Sequence, residues 1–438
     1  MKKIIALVLA MMMVMTMSAA LADYSPEKPI TIEFWHNRSS GANYDALVAS
    51  VNEFNETIGA EKGIIVNEVF IGGYPDIYTK AQLSTQNGEQ PAITVIGNTY
   101  VTSMMDDELL ADMAPYAEKT GFDQNNLMDA FNQIAGNTDG HLYSMPYIRS
   151  TPLFYYNKTW TDEAGIVVPE ILTIEDMEKI CAQMCHVGED GETVYGLELG
   201  NDAGYLNAGW LWQLGEPLLS EEGDLENRTS PAVDGTAMLK IMSDWDRWVK
   251  EGWCRPFNSG LAGSSSERMY QGKLFAVIQS SGSIKNCIKY MTEAGFELGL
   301  AQYPTYDLNN PRVECGGGQL VMLKNDNEDI MSAGWELMQF LMSDKQVYLN
   351  SINTGYLPTT KSVANYSEML KFWEENPLYK VPFDQLLDHG VCQEYPAFTC
   401  LQEYITNWGE QISLMIQEGS ITPEQAVEQL KINSAHLF

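Results

Sequence analysis

Thr31-Ile32-Glu33-Phe34-Trp35 opens the stretch that decides the fold. It reads as a short strand, rich in β-branched and aromatic residues. Leu47, Val48, Val51 and Phe54 follow at the spacing of one helical face. Ile64, Val66, Glu68 and Phe70 alternate with their neighbours, which predicts a second strand. Gly72-Gly73 breaks the chain, a helix is predicted from about Tyr74 to Gln86, and the apolar run Ala92-Ile93-Thr94-Val95-Ile96 reads as a third strand. This strand-helix alternation is the pattern of a parallel sheet covered by helices. Such sheets bind ligands at loops beyond the carboxyl ends of their strands. The loops His36–Gly41, Gly72–Tyr74 and Gly97–Tyr100 are therefore site candidates by position alone.

Further along, Leu142 to Asn157 is largely apolar, with Pro146 and Pro152 inside it. Helices are predicted over about 170–186 and 232–251. Leu274-Phe275-Ala276-Val277-Ile278 reads as a buried strand ending in Gln279-Ser280-Ser281-Gly282, and Leu298 to Tyr303 as another. Gly316-Gly317-Gly318 precedes the apolar Leu320-Val321-Met322-Leu323, and helices dominate after Met331. The chain has neither repeats nor low-complexity tracts.

At the other end, Lys2-Lys3, an apolar stretch from Ile4 to Met17 and the small-x-small Ala20-Leu21-Ala22 form the pattern of a secretory signal over residues 1–22. Cleavage is expected after Ala22, and no Cys follows that would take a lipid. A periplasmic or extracellular protein is expected. Removing 22 of 438 residues leaves 416, enough for two or three domains. That segment holds two Lys and no acid, so the formal net charge moves from −33 to −35. A surface so acidic repels phosphate backbones, which argues against nucleic acid and anionic membranes as partners. No segment after residue 22 is long and apolar enough to cross a membrane.

The seven Cys all follow that segment, and their number is odd. Cys181 and Cys185 would share a helical face beside His186, a spacing metals use. No second pair of that kind follows, so buried apolar thiols are expected there, with no metal and no cofactor. Pairing of Cys392 with Cys400 is left open by sequence alone.

Beyond these local readings, a set of short elements recurs in order along the chain. They are Phe34-Trp35-His36, Gly88-x-x-Pro91-Ala92-Ile93, Ser150-Thr151-Pro152 leading to Tyr155-Tyr156-Asn157-Lys158, and Glu163-Ala164-Gly165. Met269-Tyr270-Gln271-Gly272-Lys273, Ser280-Ser281-Gly282-Ser283 and Thr354-Gly355-Tyr356-Leu357-Pro358 complete it. In their order and spacing they resemble the solute-binding proteins of ABC importers, in the carbohydrate-type family 1, and most of all its glycerol-3-phosphate-binding members. The resemblance implies an α/β, two-lobed periplasmic-binding-protein fold, type II-like, with three interdomain crossovers and a hinge. Lobe 1 would hold 23–149 plus 304–352, and lobe 2 150–303 plus 353–438. A monomer is expected, with the permease and ATPase subunits of an importer as partners.

Carried over residue by residue, the resemblance implies ligand contacts at Tyr74, Ser150, Ser281, Gly317 and Tyr356. Two positions depart. Asn98 stands where the glycerol phosphate binders have a Glu that holds ligand hydroxyls, and Phe398 where they have an Arg that grips phosphate. A phosphate wants a fixed guanidinium or several amide donors, whereas an aromatic ring suits the apolar face of a sugar. A neutral sugar or polyol is therefore the expected ligand, with glycerol 3-phosphate or a glycerophosphodiester as the alternative. Arg149, directly before Ser150, would restore a positive charge in that case, and Arg38 in the first loop is a second candidate.

The remaining candidates have plainer readings. Trp35 is expected to pack at a strand end, His36 to be structural, and Tyr155 and Tyr156 to be core. Trp210 or Trp212 is expected to line the cleft. Gly316–Gly318 lacks the Lys-Ser/Thr of a phosphate-binding loop and is read as a place of close backbone approach. The run Ser220-Glu221-Glu222-Gly223-Asp224 lacks the calcium-loop pattern and is read as a solvated turn. A secreted glycosidase would need two opposed carboxylates, and no acid stands at the predicted strand ends. A Ser hydrolase would need Gly-x-Ser-x-Gly, and Gln279-Ser280-Ser281-Gly282 lacks the leading Gly. An adhesin would show repeats or an anchor. Binding without chemistry is the reading taken.

Overall fold

Two β-sheets organise the chain, and the first is built largely from the stretch that opens it. The computed structural model describes residues 23–131, 137, 140–199, 203–218, 236–256, 264–388, 392–393 and 400–437. The first sheet contains β1 (Ile30–His36), β2 (Ile64–Phe70), β3 (Ile93–Gly97), β4 (Met145–Ser150) and β12 (Gly316–Met322). Its order is β2-β1-β3-β12-β4. β1 runs parallel to β2 and β3, with Ile32 beside Val66 and Phe34 beside Ile93. β12 enters antiparallel to both β3 and β4. In β1, Ile32 and Phe34 turn inward while Thr31 and Glu33 face water. β3 is buried along its whole length, as a central strand covered on both faces must be.

Local chemistry fixes the helices. The helix Gly41–Phe54 buries Leu47, Val51 and Phe54 against this sheet. Full burial of one such side chain stabilises by roughly 1.5–3 kcal/mol. The helix Tyr74–Asn87 has Pro75 in its first turn, and the Gly73 N–H donates to Asp76 Oδ2 at 2.7 Å. It stops at Gly88, whose φ of +70° is the left-handed cap that glycine permits.

The second sheet contains β5 (Pro152–Asn157), β6 (His186–Val187), β7 (Thr193–Leu199), β8 (Cys254–Pro256), β9 (Leu274–Ser280) and β10 (Leu298–Gln302). Its order is β10-β5-β9-β7-β6, with β8 alongside β7. Both faces are covered. Phe154 and Tyr156 enter one core with Trp210, Trp245 and Trp248, while Leu153 and Tyr155 enter another with Leu274 and Ile284. This is the two-residue period of a strand buried on both sides. The predicted helices over about 170–186 and 232–251 are observed as Ile174–Met184 and Thr236–Lys250.

Three crossings join the sheets. Thr151 links β4 directly to β5. β11 (Val313–Glu314) pairs with β13 (Cys392–Gln393) and leads through Cys315 into β12. The third crossing follows the helix Asp344–Thr354, where Leu357 N–H donates to Arg149 O at 2.9 Å. Cys181, Cys185, Cys254, Cys287, Cys315 and Cys400 are unpaired thiols. Burial pushes the Cys181 thiol well above its ordinary pKa, as expected of an apolar core residue.

Candidate ligand-binding site

The carboxyl ends of β1, β2 and β3 share one edge of the first sheet, and β12, running the other way, begins at that edge. Gly318 pairs with Gly97 in this register. A cavity of about 200 Å³ opens there. Tyr74, Asn98, Thr99 and Gly317 wall it from the first sheet, while Tyr205, Glu314, Gln402 and Ile405 wall it from elements packed on the second sheet's core. Thr99 Oγ1 donates to Gln402 Oε1 at 3.1 Å, joining the two sides.

Tyr74 begins the helix after β2 and lies across the sheet edge. A side chain at Gly97 or Gly318 would meet its ring or hydroxyl at 2.8 Å, so those two glycines make room for it. Burial, and then Tyr356, raise its pKa, while the Arg38 charge and the nearby Asn37 side chain pull the other way. The net effect keeps the phenol neutral, a donor as well as an acceptor. Asn98 Nδ2 donates to Cys315 O at 2.9 Å, and its Oδ1 accepts from Thr99 N–H at 3.1 Å. Glu314, only 2% exposed, provides the carboxylate on this cavity.

A second cluster adjoins Tyr74 on the hinge side. Arg38, in the loop after β1, has its guanidinium carbon 5.5 Å from the Tyr147 ring and 5.3 Å from the Tyr356 ring. Its Nη1 donates to Asn43 O at 3.0 Å, and its backbone N–H to His36 Nδ1 at 3.2 Å. His36 Nε2, 2.6 Å from Glu68 Oε2, is thereby assigned the ring proton. Burial above all lowers the His36 pKa, and the residue has the structural role expected of it. Tyr356 and Tyr147 are also held neutral by burial. Asn43 Nδ2 donates to Gly282 O at 3.2 Å, and Ala42 N–H to Asn286 Oδ1 at 3.1 Å, so this loop touches the segment that follows β9.

The residues singled out from sequence thus fall in several places. Tyr74, Asn98 and Gly317 line the cavity, and Tyr356 stands in the hinge-side cluster. Ser150 is buried at the end of β4, opposite Gly316. Ser281 stitches the first crossing: its Oγ accepts from Thr151 N–H at 3.4 Å and its N–H donates to Thr151 O at 3.0 Å. Arg149 is fully buried, with Nη2 donating to Cys315 O at 2.8 Å and the guanidinium 5.5 Å from the Phe131 ring. Phe398 and the 220–224 turn lie outside the described residues.

Trp210 requires a correction. It is fully buried, stacked on Tyr303 at 5.2 Å, with its indole N–H donating to Pro304 O at 2.7 Å. Its neighbours Trp245 and Trp248 sit three residues apart on one helix, and that aromatic core takes Trp210 away from the cleft. Trp212, 4% exposed, is core as well. Thr99 falls in the loop Gly97–Tyr100 expected by position, whereas sequence reasoning missed Tyr205, Glu314 and Gln402. The one available signal was Glu314, a lone acid between Val313 and Cys315 just before the glycine run.

A two-lobed, cleft-centred architecture of this kind defines a substrate-binding protein rather than a barrel or sandwich. The family model for bacterial extracellular solute-binding proteins matches residues 49–381, and the chain belongs to that family. It is 23% identical over 372 residues, 81% of each chain, to the sn-glycerol-3-phosphate-binding periplasmic protein UgpB of Rhizobium meliloti. Its fold resembles that of UgpB from Mycobacterium tuberculosis in complex with glycerophosphocholine, with TM-score 0.79, 18% identity and coverage of 93% and 98% of the two chains. It also resembles the maltose/maltodextrin-binding domain MalE of Bdellovibrio bacteriovorus bound to maltotriose, with TM-score 0.76, 17% identity and coverage of 93% and 99%.

Proposed function

We propose that this protein captures one small polyhydroxy molecule, a sugar, a polyol or a glycerol phosphate, in the cavity between its lobes and delivers it unchanged to the permease and ATPase of an ABC importer. The observation that supports this most is the two-sided lining. Asn98, Thr99, Glu314 and Gln402 offer amide, hydroxyl and carboxylate groups from both sides, with the Tyr74 and Tyr205 rings beside them. A small set of polar groups among aromatic rings is how a cleft orients hydroxyls and covers a sugar face. At about 200 Å³ the cavity lies below the ~300–1,000 Å³ of drug-sized pockets, which suits one sugar ring or a glycerol derivative. The glycerol phosphate reading is favoured by the names of the relatives and by Arg38, a buried guanidinium between the Tyr147 and Tyr356 rings.

A thermal-shift screen of sugars, polyols and phosphorylated polyols, followed by calorimetry, tests the reading, since a ligand of the folded state raises the melting point by mass action. One molecule per chain is expected to bind and to be recovered intact by mass spectrometry. Tyr74→Ala is expected to weaken binding by about 1–3 kcal/mol through lost hydrogen-bonding and ring contact. Unaltered affinity in a folded Tyr74→Ala variant would remove it from the site, and a converted ligand would sink the binding-protein reading.

The lobes proposed follow the expected 23–149 plus 304–352 and 150–303 plus 353–438, except that 304–314 are assigned to the second lobe. What supports a second crossing at Cys315, rather than near residue 304, is that Tyr303 and Val313 pack in the second sheet's core. Export is proposed to remove residues 1–22 without adding a lipid. The intact mass of protein from native envelopes should correspond to a chain beginning at Asp23, and a retained Met1 or an added acyl mass would contradict this.

A further inference from the structure

Two arginines in this chain are buried to the same degree and are treated differently. Arg268 and Arg38 are each 5% exposed. Arg268 turns the paired N–H groups of Nε and Nη2 onto the Glu198 carboxylate, with Nε 2.7 Å from Oε2 and Nη2 on Oε1. Arg38 has Nη1 on Asn43 O, while its Nε and Nη2 are buried without a hydrogen-bond partner. No ion pair of Arg38 occurs among the described residues. The Tyr147 and Tyr356 rings compensate the charge only in part. A buried guanidinium without a carboxylate is costly, and its free side matches the two oxygens of a phosphate or carboxylate.

We infer that Arg38, held between Tyr147 and Tyr356, is an anion-reading residue at the hinge side of the cleft, and that the ligand bears a phosphate or carboxylate beside its hydroxyls. The inference rests on the reading of the cleft as a polyhydroxy-ligand site. Tyr74 connects the two parts: it walls the cavity and packs against the same core as Tyr356, whose ring lies 5.3 Å from the Arg38 guanidinium. Closure of the lobes over a neutral ligand leaves the Arg38 charge dehydrated and unpaired. Closure over an anion supplies its partner, so charge on the ligand favours the closed state. The subsite is distinct from Arg149, which is committed to the crossings.

Matched pairs test this: glycerol against glycerol 3-phosphate, glucose against glucose 6-phosphate, and glucose against glucuronate. Each is titrated calorimetrically into the full mature chain, wild type, Arg38→Lys and Arg38→Met. The charged member of at least one pair should bind the wild type at least 100-fold more tightly than its neutral mate. Arg38→Met should erase that preference, and Arg38→Lys should keep part of it. The ligand-free melting point provides a readout independent of ligand choice. Arg38→Met should raise it, because an unpaired buried charge is removed, whereas loss of a structural arginine would lower it. A neutral member binding as tightly as its charged mate overturns the anion inference and leaves the proposed function standing. So does a preference that survives in Arg38→Met, or a lowered melting point in that variant. Binding of no member of any pair overturns both.

Discussion

Gly317→Ala is expected to destabilise the protein by about 3–5 kcal/mol, read as a lowered urea midpoint at unchanged slope. Gly317 has φ +103°, a conformation in which L side chains are strained, at about 1–3 kcal/mol. A Cβ there would lie 1.9 Å from Ile148 O. That carbonyl belongs to β4, which pairs with β12 through Gly317 and Arg149, and the β12 register shifts one step further on, between Gly318 and Gln319. Relief therefore requires the two strands that carry the first and second crossings to separate. A midpoint shift equivalent to less than ~1 kcal/mol would mean that β12 slides freely, and would refute this account of the edge. Gly317 also walls the cavity, so any folded fraction should bind ligand less well.

The parts of this molecule legible in its sequence are those whose causes are local. Thr31–Trp35 was readable as a strand because alternation and β-branching act within a few residues, and it extends only to Ile30–His36. Gly72-Gly73, Pro75 and Gly88 bracket a helix through turn and cap chemistry, giving Tyr74–Asn87 against an expected 74–86. The rule that ligands sit beyond strand ends led to Tyr74 and Asn98, which share a cavity.

What was not legible depends on partners far away in sequence. β12 is antiparallel because it returns to the first sheet from the second, which no local pattern records. Glu314 and Gln402 reach the cavity from a crossing strand and a late helix. Gln402 is one position from buried Leu401 on a helix that otherwise reads as core packing. Trp210 was misjudged because an aromatic side chain carries the same signal in a core as in a cleft, and only Tyr303, Trp245 and Trp248 decide between them. Arg38 became informative only when the atoms around its guanidinium were known, since exposure and partners of a charge are tertiary facts.

Arg149→Ala is expected to cost about 3–5 kcal/mol of stability, with any change in ligand affinity following from that loss. The residue lies in β4 at the first crossing, and its side chain is fully buried. Its Nη2 donates to Cys315 O at 2.8 Å on the second crossing, and its carbonyl accepts from Leu357 N–H at 2.9 Å on the third. With its amide oriented to satisfy its neighbours, Gln319 accepts from Arg149 Nη1 at 2.9 Å and donates to Met145 O at 2.9 Å. One residue thus touches all three crossings, the second through its side chain and the third through its backbone carbonyl. Truncation leaves the buried Gln319 amide oxygen without its donor, at about 1–3 kcal/mol, and leaves the Cys315 carbonyl with Asn98 as its remaining side-chain donor. It also opens a void beside Phe131. A ligand-contacting arginine would behave in the opposite way, losing affinity for charged ligands while the ligand-free protein unfolded at the same urea concentration or a higher one. Urea titration of ligand-free Arg149→Ala, set beside the same measurement on Arg38→Met, separates the two roles. An unmoved midpoint in Arg149→Ala would return it to the list of ligand contacts, whereas a large fall, with Arg38→Met unchanged or raised, assigns the hinge to one arginine and the anion to the other.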